Sequence, residues 1–279
     1  MALCAHHHGV VRTSLINTDE LKLNAGHPQG SRWTVNDERA LAHSIAQIAL
    51  GQWRHLESIL ANARIISPAL PVFSGSAKDL LVTLPGTEPW HRDGWLFQCI
   101  SWIAAAESGV GPLRPPHSIW ADKGFDGLQL VLSPSGDEVE RLVVFEDKAT
   151  SDPRGTVRDE VWPEFEQMAR GDRNHDLVSE LSALLDRVDN LDVRQATDRV
   201  FREGGLSFRL AITIADPHNS DAGISRLFKG YEDKVPGGHS RRFGHVLYLS
   251  DLRTWMQALA DLAIEELDAL EKLDQVANV

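Results

Sequence analysis

The segment that most constrains the fold lies mid-chain, where two apolar runs flank a polar break. Residues 127–132 read GLQLVL, and residues 141–148 read RLVVFEDK. The segment between them begins with SPSGD at residues 133–137. Serine, proline, glycine and aspartate are typical of tight turns, so this pattern predicts a β-hairpin. Because side chains alternate along a strand, Glu146 and Lys148 share one face, and Asp126 lies at the mouth of the neighbouring strand.

The charges at the end of this hairpin indicate a site. The residues just before Glu146 are apolar on both faces, as in a strand covered on both sides. Charged groups there cost free energy unless they pair or bind a metal. Carboxylates suit Mg²⁺, and a lysine can orient water and neutralise phosphoryl charge. Asp126, Glu146 and Lys148 therefore predict metal-assisted phosphodiester hydrolysis, although a Glu-x-Lys pattern alone is more often an exposed ion pair.

Composition and charge limit the kinds of protein that this chain can be. The chain has 279 residues, 42% hydrophobic and 24% charged, as in a soluble globular protein. No apolar run approaches the roughly 20 residues of a bilayer span, so no membrane partner is expected. Two cysteines, Cys4 and Cys99, form neither a disulfide framework nor a zinc site, and we expect a cytoplasmic location. The net charge of −12 argues against an indiscriminate nucleic-acid coat but not against a local, metal-assisted site.

Periodicity predicts an α/β protein. Residues 1–32 are polar and weakly patterned, which predicts a mobile arm. Helical spacing predicts two helices within 34–66, a strongly apolar helix over 91–108, helices over about 156–170 and 176–188, and a long helix over 251–273. Buried strands are expected at 206–215 and 244–250. The order predicts a mixed central sheet flanked by helices, with an arm and helical extension over 1–75 and the main domain over 76–279.

The hairpin resembles the motif of the PD-(D/E)XK nuclease superfamily. The matching pieces are GFDG, with Asp126, and FEDK, with Glu146 and Lys148. The resemblance covers about residues 94–215. It implies a restriction-endonuclease-like fold and a nuclease that uses Mg²⁺ or Mn²⁺ to cleave DNA. It also implies that Asp126, Glu146 and the backbone carbonyl of Asp147 hold the metal, and that Lys148 orients the attacking water.

One position departs from the family pattern. The first core helix of the family often carries a glutamate in a Gly-x-x-Phe-Glu arrangement, where this chain has Gln98 after Phe97. Some nuclease effectors of bacterial antiphage systems are similar in having glutamine there. The resemblance therefore implies that Gln98 supports the catalytic group, with Glu107 on the same predicted helix as the other candidate ligand.

Cationic and amide side chains around the motif are candidates for nucleic-acid contacts, although solvated or structural roles are about as frequent. These candidates are Lys123, Arg154, Arg158, Gln167, Arg241 and Arg242.

The chain also resembles the small nuclease subunits of antiphage defence systems such as the Hachiman type, which implies a protein partner such as a helicase or sensor subunit. Two alternatives stay open. One is a catalytically inactive nuclease-like scaffold that binds a partner, and the other is an RNase on the same fold.

Overall fold

The computed structural model describes residues 13–23, 27–61, 74–83, 86–117 and 124–277, which contain one mixed six-stranded sheet. The strands are β1 (Ile16–Glu20), β2 (Gln29–Val35), β3 (Gly127–Leu132), β4 (Val139–Lys148), β5 (Leu206–Ile214) and β6 (Arg242–Tyr248). Their order across the sheet is β1-β2-β6-β5-β4-β3.

Strand direction decides which residues meet at each edge of this sheet. The hairpin of β3 and β4 is antiparallel. The four strands β4, β5, β6 and β2 run parallel to one another, and β1 closes the far side antiparallel to β2. The carboxyl ends of β4, β5 and β6 therefore lie at one edge, where Lys148 ends β4. Every residue of β5 is buried, including the polar Ser207, Arg209 and Thr213 within its mainly apolar sequence.

Helices cover both faces of the sheet. Those before the hairpin are α1 (Glu38–Ala49), α2 (Trp53–Leu60), α3 (Ser74–Asp79) and α4 (Trp90–Ser108). Those after it are α5 (Pro153–Thr156), a π-helical turn (Val157–Val161), α6 (Trp162–Arg170), α7 (Asn174–Leu185), α8 (Val193–Phe201), α9 (Asp221–Leu227), α10 (Tyr231–Lys234), a 3₁₀ turn (His239–Arg241) and α11 (Leu252–Ala277).

Two apolar cores lie on opposite faces of the sheet. Val143 and Phe145 of β4 pack with α1, α4 and α11, whereas Leu142 and Val144 pack with α6, α7 and α8. This alternation is the one that the hairpin sequence predicts. It follows that Glu146 and Lys148 project toward the side of α6, and Asp147 projects toward α4.

The α/β class and the mixed sheet are confirmed. The predicted hairpin, the apolar helix over 91–108 and the strands near 206–215 and 244–250 are present as β3–β4, α4, β5 and β6. The two helices predicted after Thr34 are α1 and α2, and Gly51 separates them with φ +74°. The helix α8 had no counterpart in the sequence prediction.

The prediction of a mobile arm is wrong where the chain forms β1 and the start of β2. Only Ile16 of β1 is buried, so this edge strand lacks the apolar alternation that marks a strand. In β2, the buried positions are Ser31 and Trp33, and one of these is polar.

Segments on both sides of residue 75 contribute to the same sheet, and the division into domains at that residue stays a prediction. Within the described ranges, no helix combines the length and apolar character needed to cross a membrane.

Candidate active site

The hairpin register brings Asp126 and Glu146 to the same end of the sheet. Gly127 pairs with Phe145, so one further step places Asp126 opposite Glu146. A Cβ at position 127 would lie 2.6 Å from Cδ2 of Phe145, which explains why glycine follows the aspartate. The GFDG sequence thus lets the two strands approach closely where the carboxylates lie.

Two donors orient the Asp126 carboxylate. Nε2 of Gln98, on α4, donates to Oδ1 at 2.7 Å, and the backbone N–H of Asp147 donates to Oδ2 at 2.8 Å. The glutamine that departs from the family pattern therefore contacts the first predicted carboxylate directly.

Glu146 and Lys148 form a partly buried ion pair on the α6 side of β4. Nζ of Lys148 lies 2.7 Å from Oε1 of Glu146 and 3.8 Å from Oε2 of Glu160, which belongs to the π-helical turn. The Glu146 side chain is 7% exposed and that of Lys148 is 25% exposed. Such π-helical turns are frequent at functional sites, and here the turn brings an acidic residue to the lysine.

The Asp147 side chain lies on the opposite face and has its own partners. Oγ of Ser101, on α4, donates to Oδ1 at 2.6 Å, and Nη2 of Arg209, on β5, lies 3.4 Å from the same oxygen. The Arg209 guanidinium lies 3.3 Å from the centroid of the Phe145 ring, in a cation–π contact. The side chain of Asp147 thus pairs with an arginine, while its backbone holds Asp126.

Burial dominates the electrostatics of these carboxylates. Burial, together with the charge of Asp147, raises the pKa of Asp126 to about 7. Burial and the charge of Asp126 raise the pKa of Glu146 to about 8, although Lys148 opposes the change. Burial also raises the pKa of Asp147 to about 6, while Arg209 opposes the change. The raised pKa values mean that the ionised carboxylates are disfavoured at this end of the sheet, so a bound cation would stabilise their ionised forms.

Lys148 keeps its proton. Burial lowers its pKa, but Glu146 and Asp126 outweigh burial and raise the pKa above the ordinary value. The residue therefore acts as an ammonium donor and not as a base at neutral pH.

A cleft of about 440 Å³ opens beside this group. Trp90, which is 54% exposed, lines the cleft, and its ring centroid lies 3.5 Å from that of His91 at an interplanar angle of 31°. The residues that line the cleft are Trp90, His91, Gly94, Trp95, Gln98, His117, Asp126, Asp147, Lys148, Ala149, Thr150, Thr156, Glu160 and Arg253.

Glu107 is not brought to this group. Its carboxylate accepts hydrogen bonds from Oγ of Ser14 at 2.6 Å and from the backbone N–H of Leu15 at 2.7 Å. It lies nine residues along α4 from Gln98, which corresponds to about 13 Å of helix. Glu107 therefore leaves the predicted ligand set, and it ties the start of β1 to α4.

Arg241 and Arg242 are also placed elsewhere, at the amino end of β6. Arg241 donates to the carbonyls of Leu206 and Pro236 at 2.9 and 2.7 Å. Arg242 is 5% exposed and donates to the carbonyls of Val235 and Gly237. Because Lys148 lies at the carboxyl end of the parallel strands, these two arginines occupy the opposite edge of the sheet, where they join backbone segments.

The other predicted nucleic-acid contacts are scattered. Arg154 donates to the carbonyls of Leu227 and Lys229. Arg158 is exposed and pairs with Asp159, and Gln167 is exposed on α6. Lys123 lies outside the described residues. None of the three described residues lines the cleft.

Four residues that act on the predicted group were not predicted from the sequence. Ser101 and Arg209 hold Asp147, Glu160 lies 3.8 Å from Lys148, and the charge of Glu164 on α6 adds to the burial that raises the pKa of Asp126 and Glu146. Arg209 carried a signal, because an arginine inside the buried run LSFRLAITI must find a partner. Ser101 and Glu164 lie on helices whose patterns are ordinary.

The carboxylates at this site have the chemistry that a hard divalent cation requires, but there are few of them. Glu146 is buried, Asp126 is half-buried and lies opposite it in the hairpin, and the charge of Lys148 favours the ionised form of both, so the pair offers oxygen ligands of the kind that Mg²⁺ prefers. However, in the part of the chain that the structure describes, no group of three or more histidine, cysteine, aspartate or glutamate side chains is placed to hold a metal. A metal held by Asp126 and Glu146 would therefore take its remaining ligands from backbone carbonyls or water.

Comparison with known proteins found no matching family model, no matching curated protein and no matching solved structure.

Proposed function

We propose that this protein is a metal-dependent nuclease of the PD-(D/E)XK type that hydrolyses DNA phosphodiester bonds. The observation that carries the proposal is the meeting of Asp126, Glu146 and Lys148 beside a cleft, at the end of an antiparallel hairpin that continues into a parallel strand. The proposal includes a role as an effector in antiphage defence, under the control of a protein partner.

Asp126 and Glu146 would hold the metal, and the rest of the site keeps them in place. Mg²⁺ or Mn²⁺ bound there would polarise the phosphate and lower the pKa of a bound water. Gln98 and the backbone of Asp147 fix the Asp126 carboxylate through both of its oxygens. Ser101 and Arg209 fix the Asp147 side chain and, through it, the backbone between Glu146 and Lys148.

Lys148 supplies the positive charge near the reacting phosphate. Its ammonium stays protonated and lies 2.7 Å from Glu146, so it can donate to water or to a phosphoryl oxygen at the same place. Partly dehydrated donors of this kind contribute more to catalysis than a surface ion pair contributes to stability.

One observation favours the non-catalytic alternative, in which the fold is a partner-binding scaffold. Both oxygens of Asp126 already accept hydrogen bonds from the protein, as they would in a purely structural aspartate. The nuclease requires that the carboxylate still offers a lone pair to a metal, which a carboxylate with two bonds retains.

The test is incubation of plasmid, linear DNA, single-stranded DNA and RNA with Mg²⁺ or Mn²⁺, with and without the product of the adjacent gene. Cleavage should require the metal, and Lys148→Ala should lower the rate about 10²- to 10³-fold. Glu203→Gln, at an exposed position just after α8, is the control and should keep the wild-type rate. Cleavage of RNA alone would favour the RNase, and full activity in excess chelator would overturn the proposal.

A further inference from the structure

Trp90 presents an exposed aromatic ring at the cleft of the candidate active site. The residue is 54% exposed, and within the described ranges it is the only tryptophan, tyrosine or phenylalanine that is exposed. It lines the same cleft as Asp126 and Lys148. A single exposed apolar residue is ordinary on a protein surface, but the helix that carries this one has a second unusual feature.

That feature is a glycine, one turn further along α4, that packing does not require. Gly94 lies inside the helix, where glycine is among the least favourable residues. A Cβ at this position would meet no atom within 4 Å, so no neighbour excludes a larger side chain. Gly94 also lines the cleft. A glycine that leaves a wall open in this way allows the backbone of a ligand to approach the helix closely.

The ring and the glycine belong to one stripe that leads to the carboxylates. Trp90, Gly94 and Gln98 occupy every fourth position of α4, and all three line the cleft. Gln98 donates to Asp126 at 2.7 Å, so the stripe ends at the proposed metal ligands. Eight residues of helix rise about 12 Å. That is the length of about three nucleotides of a stacked strand, which rises about 3.4 Å for each one.

A positive charge lies at the Trp90 end of the cleft. Arg253, at the start of α11, lines the cleft, and 41% of its side chain is exposed. Its guanidinium pairs with the buried Asp93, which also accepts from Nε and Nη2 of Arg92 at 3.0 and 2.7 Å. Two guanidinium charges share one carboxylate, so the group keeps one net positive charge. Its exposed member is suited to a phosphate.

These features favour a single strand over a duplex. In a duplex, neighbouring bases cover both faces of each base, so a ring beside the helix has none to stack on. A single strand exposes the faces of its bases, and proteins hold such strands by aromatic stacking together with cations along the backbone. The cleft, of about 440 Å³, has the size of a small-molecule pocket, which suits part of one strand.

We propose that a single strand of DNA lies along α4, with one base stacked on Trp90, the backbone crossing Gly94 and a phosphate paired with Arg253. This inference rests on the proposed nuclease and narrows its substrate class to single-stranded DNA. Trp90 and Gly94 act in binding and positioning the strand, and neither is a ligand of the metal.

The test is binding of the full chain to a fluorescein-labelled oligonucleotide of about ten nucleotides, measured by anisotropy at low salt in excess chelator. The single strand should bind more tightly than a duplex of the same length. Trp90→Ala should weaken single-strand binding about fivefold or more, and Trp90→Phe should restore most of the loss. Val193→Ala, at an apolar residue of matching exposure (53%) on α8, should leave binding unchanged.

Two further measurements separate stacking from a change in folding. Gly94→Leu should keep or raise the melting temperature, because leucine is a strong helix former and its Cβ meets no atom there. It should nevertheless weaken single-strand binding about fivefold or more, because the side chain occupies the path of a strand whose stacking it displaces. An oligonucleotide that is abasic throughout should bind equally to the wild type and to Trp90→Ala, because it has no base to stack.

The proposal is overturned by an absence of single-strand binding, by equal binding of strand and duplex, or by unchanged binding in Trp90→Ala or Gly94→Leu. Cleavage of the same oligonucleotides with Mn²⁺, with and without the product of the adjacent gene, separates this result from the nuclease itself. Cleavage with binding that ignores Trp90 would keep the nuclease and reject the strand path. Binding that depends on Trp90, without cleavage, would keep the path and reject the nuclease.

Discussion

At the scale of single residues, the buried carboxylates set the pH response of the metal-free protein. Burial raises the pKa of Asp126 to about 7 and that of Glu146 to about 8. The folded chain therefore keeps protons that the unfolded chain releases above about pH 4. The contribution of these two groups to stability should therefore fall as the pH rises from about 4 to about 8, because they hold more protons in the folded state over that window. The ring of His245 acts in the opposite sense below about pH 6.5, because burial lowers its pKa to about 3.

The variant Glu146→Gln should flatten this slope and raise the melting temperature at about pH 8, since it removes a group that resists ionisation. Thermal unfolding in chelator at about pH 5.5 and about pH 8 measures the effect. The exposed Glu203→Gln serves as the control and should keep the wild-type slope. A slope for Glu146→Gln equal to that of the wild type would show that Glu146 is ionised normally in the folded chain.

Site residues that stand in an unusual sequence context could be predicted from the sequence, whereas those in an ordinary context could not. Glu146 and Lys148 end a strand that is apolar on both faces, so their charge was conspicuous. Gln98 was found only because a family pattern pointed to that position, and the structure brings it to 2.7 Å from Asp126. Ser101 and Glu164 could not be found, because contacts between a helix and a strand depend on how the two pack and not on local sequence.

At the scale of elements, α4 carries two candidate ligands with different fates. Gln98→Glu places a third carboxylate beside Asp126, so it should raise Mn²⁺ affinity and lower the stability of the metal-free protein at about pH 8. Glu107→Gln should leave Mn²⁺ affinity unchanged and lower stability, because the carboxylate accepts from Ser14 and Leu15. Calorimetry and thermal unfolding on the two variants check this pair. A loss of Mn²⁺ binding in Glu107→Gln would restore it as a ligand.

The strand β6 gives the second prediction at this scale. Arg242→Ala should cost about 2 kcal/mol of unfolding free energy, because the buried guanidinium donates to Val235 and Gly237. It should leave DNA affinity unchanged, since it lies at the edge of the sheet away from Lys148. Arg158→Ala, at an exposed ion pair, should change stability by under about 0.5 kcal/mol. Urea unfolding measures the stability of each variant, and fluorescence anisotropy measures its DNA affinity. Weaker DNA binding with unchanged stability in Arg242→Ala would contradict a structural role for Arg242.

Local periodicity was enough to predict the inner strands and helices but not the outermost strand, β1. The strands β4 and β5 and the helix α4 are buried on more than one side, so each contains an apolar run that is long enough to predict the element. The strand β1 is exposed at four of its five positions and pairs only with β2, so nothing in its sequence separates it from a polar arm. Non-local pairing, such as β2 with β6, leaves no signal in either strand alone.

At the scale of the whole molecule, the net charge of −12 opposes docking on nucleic acid. DNA binding by the isolated chain should therefore be weak and strongly dependent on salt, and cleavage should be much stronger in a complex with a helicase or sensor subunit. Cleavage rate against salt concentration, for the chain alone and for the complex, measures this. Efficient cleavage by the chain alone at physiological salt would indicate a self-sufficient nuclease.

Contacts between α1 and α11 reduce the surface that these helices could offer to such a partner. Arg39 pairs with Glu265 and Glu266, and His43 lies 3.0 Å from Glu266. Leu273 and Val276 near the end of α11 are 67% and 76% exposed, so the last turns of this helix offer apolar surface to a partner.

Binding of Mn²⁺ to the isolated chain is the most direct test of the account, because it depends on neither the substrate nor the partner. Calorimetry should show Mn²⁺ binding whose affinity rises from about pH 6 to about pH 8, as the carboxylates of Asp126 and Glu146 lose their protons. Binding should be lost in Asp126→Asn and in Glu146→Gln, and kept in Glu107→Gln. No Mn²⁺ binding to the wild type, or binding that survives both substitutions, would contradict the metal site and leave the scaffold as the better account.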